Sequence, residues 1–265
     1  MSPPVVDGAF ARWLAARAGE LLIELRTDFG YGDPAGLRAE GDKRSHDLIT
    51  SELARWRPAD AVLSEEGAHT DPTRLTAERV WIVDPLDGTR EYAEEGRSDW
   101  AVHVALWSAG KPRNRLVAGA VALPAQQRVY ATDRPPAYPP MTLAAAGVAG
   151  PVRGPLRIAV SRTRPPDFLT ALAGLLGAEL VPMGSAGAKI AAVIGGDVDA
   201  YVHAGGQYEW DSAAPVAVAT ATGLHASRID GSALKYNQAD PRLPDLVVCR
   251  KNFAPRLLAA LAVRG

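Results

Sequence analysis

The fold is decided by residues 81–89, which read WIVDPLDGT: an apolar run, two aspartates, a glycine and a threonine. The run over residues 80–83 has no polar face to offer water, so it predicts a buried strand. Proline does not continue the ladder of a sheet and Gly88 permits a turn, so the strand should end in a tight loop. The stretch therefore predicts that Asp84 and Asp87 point the same way from the end of a buried strand.

The two carboxylates on this loop repel each other, and a hard divalent cation is the usual remedy. Mg²⁺ takes oxygen ligands, keeps several waters and typically joins protein carboxylates to a substrate phosphate. Gly88 and Thr89 then lead into residues 90–94, where the free backbone N–H groups of a helix start can receive phosphate oxygens. The stretch favours metal-dependent chemistry on a phosphate ester, and its structural alternative is a surface turn rich in aspartate and glycine.

A second chemical alternative is a phosphatase loop in which one aspartate becomes phosphorylated. Such loops also follow a strand and contain two aspartates, a glycine and a threonine, but their carboxylates are spaced more closely than Asp84 and Asp87. The extra residue changes the direction in which each carboxylate faces, which makes Asp84 the weaker choice as a covalent nucleophile. An attacking water held by metal is the favoured mechanism.

Composition excludes several other classes of protein. The chain has 265 residues, of which 47% are hydrophobic, and its net charge is −1. This length can bury a sizeable core, and the absence of a basic stripe argues against a nucleic-acid polymer as partner. No apolar run approaches the ~20 residues of a membrane span and no signal peptide is evident, so we expect a cytoplasmic protein without membrane contact. The single cysteine, Cys249, excludes an internal disulfide.

Three motifs occur in order along the chain: residues 63–67 (LSEEG), 84–89 (DPLDGT) and 209–214 (EWDSAA). Together they resemble the inositol monophosphatase superfamily, and within it the chain is most similar to the CysQ branch, the phosphatases of 3′-phosphoadenosine 5′-phosphate. The similarity extends over residues 37–249. The resemblance implies an α/β fold, a layered α+β sandwich in which helix and sheet layers alternate, as in inositol monophosphatases and fructose bisphosphatases.

A proline-rich segment, residues 134–155, predicts a surface connector between two halves of the chain. Residues 1–133 form an N-terminal α+β half to which the resemblance assigns most of the metal ligands. Residues 156–265 form a C-terminal α/β half, in which strand and helix patterns alternate and which would supply Asp211 and substrate contacts.

The resemblance also implies a set of metal ligands. One Mg²⁺ would lie between Glu65, Asp84 and the carbonyl of Leu86. A second would lie between Asp84, Asp87 and Asp211, and a third, weaker ion near Glu65 is left open. His103 is expected to be structural, because oxygen ligands already suffice for Mg²⁺.

Asp42 and Thr89 are implied to position the attacking water. Glu65 follows Asp42 by 23 positions, a spacing that matches the family. Asp42 also has a structural interpretation as the cap that opens a helix after a glycine-rich loop over residues 28–36, and one residue can serve both roles. Asp211 has the same alternative, at the start of a helix that continues to Ala221.

The predicted substrate contacts come from several segments. Residues 160–164 resemble a Ser-Arg-Ser-His segment of the family, with an arginine where histidine is common, and residues 184–189 resemble its Gly-Ser-rich stretch. His203 stands where relatives often have arginine, and Tyr236, with Tyr208, could flank an adenine or pack in the core. The full predicted set is Gly88, Thr89, Ser161, Arg164, Ser185, Lys189, His203 and Tyr236.

The activity that the resemblance implies is hydrolysis of the 3′-phosphate of 3′-phosphoadenosine 5′-phosphate to give AMP, in sulfate assimilation and without a phosphoenzyme. Relatives are typically inhibited by lithium and are often homodimers. Inositol 1-phosphate and fructose 1,6-bisphosphate are the alternative substrates, as main or side activities. The alternative from another class is a metal-dependent nucleotide-binding module without turnover, which would not need a pair of residues that orient water.

Overall fold

A computed structural model describes residues 2–67, 72–110, 115–138 and 155–263 of the protein. Residues 139–154, which make up most of the predicted proline-rich connector, lie outside the described residues. Within the described ranges, none of the helices combines the length and the apolar character needed to cross a membrane.

The first half of the chain forms two long helices and a five-stranded sheet. The helices are α1 (Asp7–Phe29) and α2 (Pro34–Trp56). The strands, adjacent in chain order, are β1 (Ala61–Ser64), β2 (Arg79–Asp87), β3 (Ala101–Ser108), β4 (Arg115–Leu123) and β5 (Arg128–Ala131). β1 is parallel to β2 and the other pairs are antiparallel. A short helix, α3 (Thr89–Tyr92), follows β2 directly.

The second half forms another five-stranded sheet and four helices among the described residues. Its elements are β6 (Leu156–Ser161), α4 (Phe168–Leu176), β7 (Ala178–Met183), α5 (Ala186–Gly195), β8 (Ala200–Tyr208), α6 (Glu209–Ala221), β9 (His225–Ser227), β10 (Arg242–Cys249) and α7 (Ala254–Ala262). The strand order is β7-β6-β8-β10-β9. β6 is parallel to β7 and β8, whereas β10 is antiparallel to β8 and β9. The alternation of strand and helix patterns predicts a parallel or mixed sheet covered by helices, and the sheet is mixed.

Five layers of secondary structure alternate through the molecule. α1 and α2 cover one face of the first sheet, where Phe10, Leu22 and Trp81 are fully buried. α5 and α6 lie between the two sheets, and α4 and α7 cover the outer face of the second sheet. The layered sandwich of alternating helices and sheets that the sequence predicts is confirmed.

β3 shows what this layering does to a strand. Its alternating sequence predicts a half-buried strand, yet residues 101–107 are all buried. Val102 and Val104 pack in the core under α1 and α2, whereas Ala101 and Ala105 belong to the core around α5 and α6. The prediction of half-burial is wrong because helices cover both faces of the sheet.

The start of α2 differs from the prediction. The glycine-rich loop predicted for residues 28–36 is short, because α1 continues to Phe29 and α2 begins at Pro34. Asp33 caps α2, with its Oδ1 accepting a hydrogen bond from the Gly36 N–H at 3.0 Å, and proline at the first helical position is pre-organised for a helix. Asp42 therefore lies in the middle of α2, and its interpretation as a helix cap is wrong.

Candidate active site

The predicted strand does not end at Pro85: β2 continues to Asp87, and its pairing with β3 slips by one residue between the two aspartates. Asp84 is paired with His103 but Asp87 with Ala101, so one extra residue of β2, in the segment that contains Pro85, is accommodated as a bulge. Both aspartates line the same cavity. The apolar strand and its interruption thus present the two carboxylates together, as the sequence predicts.

Gly88 makes the turn that follows the two aspartates. Its φ of 84° lies in the left-handed region, and a Cβ at this position would lie 3.1 Å from the Cβ of Ser185. The backbone then enters α3 at Thr89. Before the turn, Asp84 Oδ1 accepts a hydrogen bond from the Leu86 N–H at 3.1 Å, which fixes one carboxylate to its own loop.

α2 packs directly on this loop. Ser45 Oγ donates a hydrogen bond to the Pro85 carbonyl at 2.6 Å. A Cβ on Gly41 would lie 2.8 Å from the Tyr92 ring and 2.9 Å from a methyl of Leu86, so only glycine allows this approach. These contacts place the turn of α2 between Gly41 and Ser45 beside the metal-ligand candidates. A glycine inside an amphipathic helix is the sequence signal that could have revealed them.

Glu65 and Asp84 are neighbours across the parallel pair β1 and β2. The Glu65 N–H donates to the Val83 carbonyl at 3.3 Å, which continues the ladder beyond β1. Burial raises the pKa of Glu65 to about 7, and it raises the pKa of Asp84 well above its usual value, with Glu65 as the next cause. Asp84 is buried, and the repulsion between two neighbouring carboxylates, one of them buried, disfavours ionising both unless a cation is present.

Asp87 is held by the second half of the chain. Its Oδ2 accepts hydrogen bonds from Ser185 Oγ at 2.5 Å and from the Gly187 N–H at 2.7 Å. Burial would raise the pKa of Asp87, but His103, Ser185 and Gly187 together lower it to about 2. Ser185 also caps α5 by accepting from the Ala188 N–H at 2.9 Å. The start of α5 therefore fixes an ionised carboxylate of β2.

Asp211 reaches the site from the first turn of α6. Its Oδ2 accepts a hydrogen bond from the Tyr208 N–H at 2.6 Å, and Tyr208 is the N-cap residue. The predicted position at a helix start is thus confirmed, within the first turn. Burial raises the pKa of Asp211 to about 7, and the charge of Asp87 adds to the effect.

His103 is a buried histidine whose ring lies close to Asp84 and Asp87. One ligand atom each from Asp84, Asp87 and His103 lies within 4.8 Å of the others. Nδ1 of His103 lies 3.0 Å from the Trp210 carbonyl and Nε2 lies 3.2 Å from Asp87 Oδ2, so both nitrogens face acceptors. Burial lowers its pKa, but Asp87 outweighs burial and the pKa is raised. His103 is therefore placed beside Asp87 and the Trp210 carbonyl, and its structural role remains a prediction.

The donor set of the site fits a hard divalent cation. Its candidate side-chain ligands are carboxylates, and three of them, on Glu65, Asp84 and Asp211, have raised pKa values because the site desolvates them and the neighbouring carboxylates repel one another. Bringing in a divalent cation would relieve this repulsion, and oxygen-only ligands suit Mg²⁺.

Asp42 lies next to this set. Burial, and then the charge of Glu66, raise the pKa of Asp42 to about 7, and the charge of Asp42 contributes to the raised pKa of Glu65. No hydrogen bond joins Asp42 to Thr89 in the described part of the chain. The role of Asp42 and Thr89 in positioning water therefore remains a prediction. The two residues approach the site from α2 and α3.

A cavity of about 520 Å³ opens above the carboxylates, within the range of roughly 300–1,000 Å³ typical of small-molecule sites. The structure brings together most of the predicted residues in its lining: Glu65, Asp84, Leu86, Asp87, Gly88, Thr89, Ser161, Arg164, Lys189, His203 and Asp211. Lys189 and His203 are buried, whereas Arg164 is exposed.

Two predicted substrate contacts lie elsewhere. Ser185 stands behind Asp87 and bonds to it, so its partner is a metal-ligand candidate. Tyr236 is buried in the central core, where its hydroxyl lies 3.1 Å from Ser212 Oγ, and it borders a different cavity beside α6. This position does not agree with the prediction that Tyr236 contacts the substrate. A tyrosine whose ring has apolar neighbours and whose hydroxyl has a polar one is ordinary core packing.

The sequence analysis missed several residues that line the cavity. Arg90 follows Thr89 on α3, and Tyr201 and Gln207 belong to β8, as His203 does. Gln207 Nε2 donates to the Tyr201 hydroxyl at 2.8 Å. The two consecutive glycines at 205 and 206, which have positive φ angles, are a sequence signal of an irregular strand that could have drawn attention to β8.

Comparisons with known proteins agree with this geometry. The model of the inositol monophosphatase family matches residues 9–263. The 3′-phosphoadenosine 5′-phosphate phosphatase of Mycobacterium leprae is 52% identical over 97% of this chain and 94% of its own. The 3′(2′),5′-bisphosphate nucleotidase CysQ of Salmonella typhimurium is 30% identical over 74% of this chain and 77% of its own. The crystal structure of the extragenic suppressor protein suhB from Bartonella henselae superposes with a TM-score of 0.72 at 21% identity, over 95% of this chain and 97% of that one, which supports the fold alone.

Proposed function

The chain belongs to the inositol monophosphatase family, and we propose that it is a metal-dependent phosphatase of the CysQ branch. Its substrate is 3′-phosphoadenosine 5′-phosphate, its products are AMP and phosphate, and its role is in sulfate assimilation. The relatives that match over nearly the whole chain carry this activity in their names, which supports the substrate.

The observation that carries the proposal is the set of carboxylates at the floor of the cavity, among which Asp84 and Asp87 are buried. They come from the residue after β1, from β2 and from α6, and those on Glu65, Asp84 and Asp211 have raised pKa values. Holding several carboxylates side by side costs stability unless a ligand neutralises them. Such an arrangement is typical of a functional site and not of a structural core.

We assign the cation as Mg²⁺, with two ions and a third, weaker one near Glu65 as the alternative. Glu65, Asp84 and the Leu86 carbonyl would hold one ion, and Asp84, Asp87 and Asp211 would hold the other. When bound, the cations would lower the pKa of the attacking water and neutralise charge on the phosphate.

The chain's own residues would orient the reaction. Asp42, with a pKa of about 7, is suited to hold the attacking water and accept a proton from it near neutral pH. Thr89 would fix the water from the other side. The backbone N–H groups of Gly88 and Thr89 would face the phosphate oxygens, and no protein side chain would become phosphorylated.

Turnover of three substrates with Mg²⁺ tests this function. We expect the highest kcat/KM for 3′-phosphoadenosine 5′-phosphate, with activity lost on chelation and inhibited by Li⁺. A higher kcat/KM for inositol 1-phosphate or fructose 1,6-bisphosphate would support the phosphatase activity but reject the nucleotide as the main substrate. Binding of the nucleotide with no phosphate release from any of the three would favour the nucleotide-binding module.

We further propose that the protein is a cytoplasmic homodimer and that residues 1–133 and 156–265 act as two halves around the site. Family resemblance supports the dimer. Light scattering on the purified protein measures its mass directly, and a mass equal to one 28.0 kDa chain would contradict it.

A further inference from the structure

The loop between β7 and α5 is held by buried charged side chains. Asp99, Glu91 and Lys189 are all buried around it. Asp99 Oδ2 accepts a hydrogen bond from the Gly184 N–H at 2.6 Å, and the ammonium of Lys189 donates to the Gly184 carbonyl. A Cβ on Gly184 would collide with the carboxyl group of Glu91. Both polar groups of this glycine therefore face a buried charge, and its α-carbon has no room to move.

Asp99 is the member of this set that does not line the cavity. The described lining includes Glu91 and Lys189 but not Asp99. The carboxylate of Asp99 pairs with Arg97, and its backbone carbonyl accepts a hydrogen bond from the Ser185 N–H at 3.1 Å. One residue thus binds two consecutive N–H groups of the loop. Because a buried carboxylate is costly unless it is hydrogen-bonded, these bonds hold the loop in one position.

The loop that Asp99 holds is the loop that holds Asp87. Ser185 Oγ and the Gly187 N–H both donate to Asp87 Oδ2. Asp87 is also paired with Ala101 across β2 and β3, and Asp99 lies two residues before Ala101. The contacts therefore form a closed ring that starts and ends at Asp87 and passes through Ser185 and Asp99.

Gly88 shows how little room this ring leaves. A Cβ at this position would lie 3.1 Å from the Cβ of Ser185 and 3.3 Å from the carbonyl oxygen of Asp99. Three backbone segments therefore meet at the turn that follows Asp87. Closely packed interiors transmit strain, so a shift of the loop before α5 would reach this turn and the aspartate before it.

We propose that Asp99 is a positioning residue of the metal site, which acts through Ser185 to set the place of Asp87. This inference rests on the proposed metal-dependent function and deepens it, because it explains how a loop of the second half keeps a metal-ligand candidate of the first half in place. It adds a residue outside the cavity to those on which metal affinity depends.

The Kd for Mg²⁺, measured by calorimetry, tests this role without turnover. We expect Asp99→Ala to weaken Mg²⁺ binding about fivefold, less than the loss of a direct partner of a ligand. Asp99→Asn should stay within about twofold of the wild type, since its amide oxygen can still accept from the Gly184 N–H. The KM for the nucleotide at saturating Mg²⁺ should not change in either variant. An asparagine variant as weak as the alanine variant would contradict positioning by this hydrogen bond.

Asp199→Ala is the matched control. Asp199 is also buried, also accepts from a backbone N–H, that of Arg157 at 2.7 Å, and also pairs with an arginine, Arg250 at 2.6 Å. The control should lower Tm by a similar amount and leave the Kd for Mg²⁺ unchanged. Equal losses of Mg²⁺ affinity in the two alanine variants would show that Asp99 acts only through general stability, and the proposal would fail.

A double variant separates action through Ser185 from an independent effect. If Asp99 acts through Ser185, Asp99→Ala adds little once residue 185 is alanine. The double variant should then bind Mg²⁺ about tenfold more weakly than the wild type, as expected for Ser185→Ala alone. Independent effects would multiply to about fiftyfold, which would overturn the proposal.

A second substitution keeps the test decisive if Asp99→Ala does not fold. Asp99→Ser leaves a polar group in the loop, but its hydroxyl is one atom shorter than the carboxylate, so the same loss of about fivefold is expected. An unchanged Kd for Mg²⁺ in this variant would reject the role of Asp99. A wild type that binds Mg²⁺ but hydrolyses none of the three substrates would reject the proposed phosphatase, and the Mg²⁺ measurements would still decide the role of Asp99.

Discussion

The floor and the rim of the cavity are built in opposite ways. At the floor, Asp84 and Asp87 are buried, and each accepts hydrogen bonds from the surrounding protein. At the rim, Arg90 and Arg164 are exposed and have no partners among the described residues. The fold therefore fixes the floor by internal hydrogen bonds, whereas the rim presents charged groups to solvent. This difference fits the proposed function, in which the carboxylates of the floor carry the chemistry and Arg164 is a predicted substrate contact.

The largest effect is expected from Asp84→Asn at the floor. An amide is a poor ligand for Mg²⁺, so kcat for metal-dependent phosphate release should fall about a thousandfold or more. The fold should persist, because the asparagine Oδ1 can still accept from the Leu86 N–H and the repulsion with Glu65 is removed. Phosphate release and circular dichroism measure the two outcomes.

The matched control for this variant is Asp240→Asn, which changes an exposed carboxylate paired with the exposed Arg242. It should leave turnover unchanged. Retained turnover in Asp84→Asn, with metal present, would contradict the assignment of Asp84 to the metal site.

A smaller loss is expected from Asp42→Ala, which tests a residue beside the floor. Turnover should fall about a hundredfold, a typical contribution of a proton acceptor, while the Kd for Mg²⁺ changes by less than about threefold. Asp47→Ala on the same helix is the control, because Asp47 is exposed and pairs with the exposed Lys43. A normal kcat in Asp42→Ala would remove this residue from the reaction.

The floor was accessible from the sequence because its signals are local. An apolar run, a proline and a glycine within residues 81–89 are enough to predict a strand that ends in two carboxylates. The start of α2 was misplaced because a competing local signal, Asp33 before Pro34, was overlooked in favour of Asp42. Contacts between distant segments, such as Ser185 with Asp87, have no local signature and required the fold.

The rim was harder to predict for a related reason. An exposed arginine on a short helix has no pattern that separates it from a solvated surface residue, so Arg90 was not identified. Tyr236 was assigned to the substrate because an aromatic ring suits an adenine, but the packing around α6 buries it elsewhere. Residue type therefore predicted the chemistry better than it predicted the position.

Ser185→Ala tests whether Ser185 supports the floor of the cavity or contacts the substrate. The change removes a hydrogen bond to Asp87 and the cap of α5. Loss of a group that supports a metal ligand typically weakens metal binding about tenfold, and loss of a cap costs about 1 kcal/mol of stability. The KM for the nucleotide at saturating Mg²⁺ should stay nearly constant. Ser212→Ala, on α6, is the comparison variant. A raised KM with unchanged metal affinity in Ser185→Ala would instead support the prediction that Ser185 contacts the substrate.

The smallest effect is a dependence of metal stabilisation on pH. Burial raises the pKa values of Glu65 and Asp211 to about 7, above the usual value near 4 in an unfolded chain. In the metal-free protein these carboxyls bind more protons when folded than when unfolded. They therefore favour folding at low pH, and this contribution is lost as the pH rises through about 7.

Metal binding requires the same carboxyls to release their protons, so the affinity for Mg²⁺ should rise over this interval. A tenfold tighter Kd adds about 1.4 kcal/mol at saturating metal, which corresponds to roughly 2–4 °C in Tm. We therefore expect the Mg²⁺-induced increase in Tm to be larger by this amount near pH 8 than near pH 5.5. Ca²⁺ should show the same trend and K⁺ none, because only divalent cations offset the paired carboxylates. An increase in Tm that is equal at both pH values would mean that the carboxyl groups of the floor are already ionised without metal. Their positions would then be fixed by the hydrogen bonds alone.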